Sequence, residues 1–163
     1  MRSDPNPDDV ATAFRRAALQ HHHRTLTAEL EASPDRASIA TALDDVDHPA
    51  SVVVVRLDGF DGGSIDDEVV LDQVGSRLRS IVREPLGVHR LGASFVVVLA
   101  ADRYVAAAVA RRAVAALAEP FSVGAFDMTL TAATGIADVD PADPLATIQR
   151  ADLAALRDLL SRG

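Results

Sequence analysis

Apolar positions along the chain change period several times, and the changes mark its elements. Val10, Phe14, Ala17, Ala18 and His21, then Leu26 and Leu30, recur at helical spacing and predict a helix over Val10 to Ala32. Ser33 is an N-cap signal and Pro34 suits a first helical position, so a second short helix is expected to reach Leu43. Asp44 to Pro49 reads as a turn. Ser51 to Leu57 is a run of β-branched residues with four consecutive valines, the pattern of a strand buried on both faces. A Gly-rich loop, Asp58 to Ser64, follows.

Val70, Val74, Leu78 and Ile81 restore a helical step. Val88 to Leu91 and Phe95 to Leu99 read as two short strands around the turn Gly92-Ala93-Ser94. Arg103 to Glu119 is an Ala-rich helix with Val105, Val109, Ala113 and Leu117 on one face. Phe121 to Val123 and Asp127 to Ile136 are expected to pair as a hairpin around Gly124-Ala125. Asp143-Pro144 caps a last helix carrying Leu145, Ile148, Leu156 and Leu159. The core order, strand-helix-strand-strand-helix-strand, is a βαββαβ pattern of ferredoxin type. The expected fold is α+β, an α/β sandwich with a central antiparallel sheet flanked by helices and led by extra N-terminal helices. That order by itself does not give function.

Composition narrows the chemistry. The 163 residues suit one domain plus an extension, divided as 1–32 for the extension and its helix and 33–163 for the domain. A formal net charge of −8 disfavours nucleic acid and anionic membranes, which reward a basic face. All 16 basic residues are arginine, so lysine chemistry is absent, and without cysteine there is no thiol catalysis and no disulfide. No apolar run approaches the roughly 18 residues that span a bilayer. The polar N-terminus is not a signal peptide, and a cytoplasmic location is expected.

Several segments, taken in order, resemble the GGDEF family of diguanylate cyclases. Val53-Val-Val-Arg-Leu-Asp-Gly-Phe60 resembles the family's first strand and its D-x-D-x-F-K motif. His89-Arg-Leu-Gly-Ala-Ser-Phe-Val-Val-Val-Leu99 resembles the hairpin R-L-G-G-[DE]-E-F and the strand after it. Leu117-Ala-Glu-Pro-Phe121 is similar to the segment that follows the third helix. Leu130-Thr-Ala-Ala-Thr-Gly-Ile-Ala137 resembles "T-x-S-x-G-I-A", and Gln149-Arg-Ala-Asp-Leu-Ala154 resembles the start of "R-A-D-x-A-L-Y". Leu26-Thr27 and Pro34-Asp-Arg36 look like a stretched form of "L-T-G-L-x-N-R".

The resemblance implies the joining of two GTP molecules into cyclic di-GMP, with two carboxylates holding two metal ions. Here the leading acid of D-x-D is Arg56, and Asp58 survives as the second. A cation in place of an anion beside Mg²⁺ turns an attraction of about 8 kcal/mol into a comparable repulsion, for an effective dielectric near 20 at roughly 4 Å. The signature turn is one residue shorter and reads Gly92, Ala93, Ser94, without an acid. The base-reading Asn has no counterpart, and Glu68 falls where the family's next-helix Asp belongs. Of the inhibitory R-x-x-D motif, Arg83 remains while its Asp is Leu86.

These departures lead to the expectation of a degenerate GGDEF domain that is not an enzyme, without cofactor or metal. It would act as a regulatory or protein-interaction module in bacterial signalling, in a cyclic di-GMP pathway or another. Arg56, Asp58, Glu68, Gly92, Ala93 and Ser94 are its remnant nucleotide-site positions, and Arg83 its remnant inhibitory one. The expected partner is a signalling protein, or a second copy engaged through the N-terminal helix. The alternatives are a nucleotide-binding sensor without turnover and an active cyclase. Arg56 is read as ion-paired with Asp58, Asp61 or Glu68, with phosphate binding as the alternative. His21-His22-His23 point about 100° apart on a helix and are read as solvated, not as a metal site. Asp58 to Gly63 lacks the spacing and closing Glu of a calcium loop, and Asp66-Asp67 are read as helix-start residues.

Overall fold

In the computed structural model, which describes residues 6–17, 20, 35–58, 65–82 and 87–161, the valine run lies at the centre of the molecule. The helices are α1 (7–17), α2 (Arg36–Asp45), α3 (Ile65–Ile81), α4 (Arg103–Leu117) and α5 (Pro144–Ser161). The strands are β1 (Ser51–Leu57), β2 (Val88–Leu91), β3 (Ser94–Leu99), β4 (Phe121–Val123), β5 (Phe126–Met128) and β6 (Ala132–Asp138). Four of them form an antiparallel sheet in the order β2-β3-β1-β6, with β1 paired to β3 on one side and β6 on the other. This is the expected α+β fold, and the Val52–Val55 strand is interior as its composition requires.

Alternation along β1 divides the core in two. Val53, Val55 and Leu57 face α3 and α4 and join Val70, Leu71, Val74, Leu78, Phe95 and Leu117. Val52 and Val54 face α2 and α5 and join Ile39, Leu43, Val96, Val98, Ile148, Ala151 and Ala155. Burying each valine of the run contributes on the order of 1.5 kcal/mol or more. Both faces need helical cover, and the remaining helices supply it.

Local chemistry sets the ends of the elements. Asp102 caps α4, its side chain accepting from the amides of Tyr104 and Val105. Asp143 accepts from the Ala146 amide at the start of α5, as the Asp-Pro pair predicted. The β2–β3 turn is two residues, Gly92-Ala93, with Gly92 at φ +59°, a conformation that favours glycine. Arg77 of α3 lies 3.5 Å from the Phe121 ring centroid and donates to the carbonyls of Ala116, Glu119 and Pro120, which ties α3 to the end of α4.

Four expectations need correction. The second helix starts at Arg36, with Asp35 before it, and runs to Asp45, so Asp44 and Asp45 belong to its last turn. Helix α4 ends at Leu117, short of Glu119. Ser94 is the first residue of β3, outside the turn. The segment Asp127 to Ile136 is not one strand. Its start pairs with β4 in a separate two-stranded sheet, and its end joins β1. Between them Leu130 turns into the α3/α4 core, which the chain cannot do while extending a single ladder. Of the long N-terminal helix expected over Val10 to Ala32, 7–17 is helical, and 21–34, including His21 to His23, lies outside the described residues.

Candidate functional site at the strand ends

The remnant positions are organised by the end of β1. Arg56 stands opposite Ser94 on β3 and Ala133 on β6, so the three share one face of the sheet. That face carries Val52 and Val54 and is covered by α5. Arg56 Nη1 donates to Asp152 Oδ1 of α5 at 3.4 Å. The Asp152 side chain is 1% exposed and that of Arg56 21%. Asp58 follows β1, exposed, its amide bonded to the Thr131 carbonyl, which extends the β1–β6 ladder by a step.

Glu68 lies elsewhere. Arg90 of β2 stands opposite Phe95, whose ring belongs to the α3/α4 core, so Arg90 projects toward α3. There it meets Glu68 in a bidentate pair, Nη1 to Oε2 and Nη2 to Oε1, both 2.6 Å. The hydrogen bonds from Arg90 hold the Glu68 carboxyl below its ordinary range, against a smaller opposing desolvation. Glu68 in turn raises Arg90, helped by the charges of Asp72 and Asp35. Arg90 Nε also donates to the carbonyl of Gly92 at 3.0 Å, which fixes the base of the turn.

The structure gives Arg56 a partner that sequence reasoning did not name, Asp152, and pairs it with neither Asp58 nor Glu68, while Asp61 lies outside the described residues. The sheet itself forbids the Glu68 pairing, because Arg56 and Glu68 lie on opposite faces. Ser94 does come opposite Arg56, with the Gly92-Ala93 turn just before it in the chain, whereas Arg83, Leu86 and Asp61 lie outside the described residues. Sequence reasoning missed Asp152. The signal was available: Ile148, Ala151 and Ala155 form the apolar stripe of α5, and an acid at 152 falls inside that stripe. It missed Arg90 and Asp35 as well, the latter accepting the backbone amide of Arg90 at 2.8 Å.

The donor set does not fit a pair of divalent cations. The position nearest the family's leading carboxylate is a guanidinium, the turn carries no acid, and among the described residues no three His, Asp or Glu side chains gather to hold a metal ion. Among the described residues no helix is long and apolar enough to cross a membrane.

The chain matches the family described as "Diguanylate cyclase, GGDEF domain" over residues 23–161. No curated protein matches it. Among solved structures, a sensory box/GGDEF family protein from Caulobacter crescentus CB15 is 28% identical, covering 76% of this chain and 88% of that one, at a TM-score of 0.64. An EAL/GGDEF domain protein from M. capsulatus is 29% identical, with 77% and 88% covered and a TM-score of 0.60. The diguanylate cyclase SiaD of Pseudomonas aeruginosa, in complex with its activator SiaC, is similar over 94% of this chain and 68% of that one, with 20% identity and a TM-score of 0.66, a likeness of fold. The matched family is one of enzymes, and this overturns the expectation that the chain is not an enzyme. That expectation rested on acids missing from two strand ends, while the loop carrying Asp61 lies outside the described residues.

Proposed function

Because the chain belongs to the GGDEF family, we propose that it serves cyclic di-GMP signalling as a regulatory module that works by engaging a protein partner. One observation carries this reading: the charged groups at the strand ends are tied into the fold. Arg56 is held to buried Asp152 on one face, and Arg90 holds both oxygens of Glu68 on the other. Each guanidinium has an internal partner, and breaking a buried or bidentate charge pair is costly, so these strand ends present a fixed surface to a protein. SiaD, which shares the fold, was solved in complex with its activator SiaC.

Calorimetric titration of the full chain with cyclic di-GMP, with and without Mg²⁺, tests the reading. No saturating heat is expected up to about 1 mM ligand. Saturation in the micromolar range would make the domain a nucleotide sensor instead.

A further inference from the structure

The sheet has two edges, and they are finished differently. At β2 the outward amide of Arg90 is taken by the Asp35 carboxylate. At β6 the ladder to β1 uses the odd-numbered residues, as the flanking bonds Val139 N to Ala50 O and Asp58 N to Thr131 O show. The N–H and C=O groups of Thr134 and Ile136 therefore point outward, away from β1. Among the described residues neither backbone has a further hydrogen-bond partner. Beside them runs an open groove of about 640 Å³ between α4 and the β6 edge. Ala107, Ala110 and Val114 of α4 form one wall, with Arg111 on the α4 side and Asp158 of α5 at the other lip. Such small walls leave room for a backbone at the roughly 4.8 Å spacing of a neighbouring strand.

We propose that this groove takes an extended segment of a protein partner as a fifth strand, added to β6 through Thr134 and Ile136. The inference rests on the reading of the domain as a partner-binding module, and it names the surface and the chemistry. Backbone pairing supplies the attraction, as in strand addition to an exposed edge. Charge sets the sequence. Successive side chains of a strand point to opposite faces, so alternate residues of the segment look toward α4, where an acidic one meets Arg111. The occupant is thus an extended segment in which apolar and acidic residues alternate along one face.

The probe is a fluorescent seven-residue peptide with Val and Glu alternating at its odd positions and Thr at its even positions, read by anisotropy against the full chain. Thr134→Pro removes one outward N–H and leaves the β1–β6 ladder intact, the placement at which an edge strand tolerates proline. It should weaken binding about tenfold or more, the equivalent of about 1.4 kcal/mol. Arg111→Glu should weaken this peptide and strengthen one with Arg in place of its Glu. If Thr134→Pro lowers the melting temperature substantially, a peptide N-methylated on alternate amides replaces it, and it should bind the unaltered chain at least about tenfold more weakly. Equal affinity for these pairs, or no saturable binding up to about 1 mM, overturns the proposal. A concentration-dependent doubling of mass in light scattering that Thr134→Pro removes would assign the edge to a second copy and overturn it too. Failure here with blank nucleotide titrations removes the groove and leaves the module reading. Saturable nucleotide binding removes the module reading whatever the peptide does.

Discussion

The two faces of the sheet differ in how the helices approach them. The face toward α3 and α4 is filled by bulk: Phe95, Leu71, Leu78, Leu117 and Phe121 are essentially inaccessible to solvent. The face toward α5 also buries Ile39, Leu43, Val96 and Ile148, but at β6 it is closed by small residues: Gly135 meets the backbone of Ala151 and Ala155, so the helix lies against the strand itself. One β1 strand serves both, with its valines alternating between them. A bulky interface holds its spacing through side chains, which can shift or be trimmed. A close-packed interface holds it through the backbone, which cannot yield. The two should therefore fail in different ways, by cavity on one face and by clash on the other.

Glycine substitution breaks this comparison most sharply. A Cβ built on Gly135 would land on the Ala151 carbonyl oxygen and the Ala155 amide, both backbone atoms of α5. Gly135→Ala should cost about 3 kcal/mol or more, the upper end of overpacking penalties. In a chain of this size that lowers the melting temperature by roughly 6–12 °C. The control lies on the other face. A Cβ on Gly75 of α3 would meet the Arg79 tip at 3.2 Å and the edge of the Phe95 ring at 3.3 Å. The arginine can swing away, and alanine gains about 1 kcal/mol of helix propensity over glycine, so Gly75→Ala should be close to neutral. Equal losses at the two glycines, measured by thermal unfolding, would remove the distinction between the faces.

The polar end of the α5 face is the next test. Arg56 and Asp152 close the seam where the small residues stop, and the aspartate is 1% exposed. Arg56→Ala takes a charge-assisted partner from a buried carboxylate and should cost about 1–3 kcal/mol in denaturant unfolding. Arg56→Asp should cost at least as much, since a second carboxylate then faces the first. If Arg56→Ala leaves stability unchanged, the pair is incidental and α5 is held by its apolar contacts alone.

How far the sequence disclosed these arrangements depends on the range of the interactions. The interior strand was legible because a four-valine run is explained only by burial on both faces. The β2–β3 turn and the cap at Asp143 were legible because their chemistry is local. The seam between β6 and α5 was not, because Gly135 as a close-approach residue becomes visible only once the helix lies on the strand. Asp152 as a partner of Arg56 was missed for a similar reason. Asp58 and Glu68 are near Arg56 in sequence, whereas Asp152 is 96 positions away and reaches it across the sheet face. The break after Met128 was hidden because apolar alternation continues through it, and the choice between pairing with β4 and pairing with β1 is made by the tertiary core.

The smallest effect expected belongs to the other face, where Arg90 grips Glu68 in partial solvent. The Glu68 side chain is 49% exposed, so the pair is screened and should be lost more readily in salt than the Arg56–Asp152 seam. Its sign is fixed by linkage. The folded state holds the Glu68 carboxyl below its ordinary value of 4.5, chiefly through hydrogen bonds from Arg90. The unfolded chain therefore binds this proton first as the pH drops, and stability from the pair rises with pH through that window. It is fully present above the ordinary carboxylate value and disappears as the pH falls through the lower folded one. Arg90 is raised from an already high value and does not titrate in acid. Glu68→Gln should consequently melt below the unaltered protein at about pH 6, with the gap closing toward about pH 3, while Arg56→Ala, at the buried pair, keeps most of its gap in high salt. A Glu68→Gln gap that stays constant across that range would mean the amide loses packing and not charge, and the α3 side of the strand ends would then be held as the core beneath it is, by shape alone.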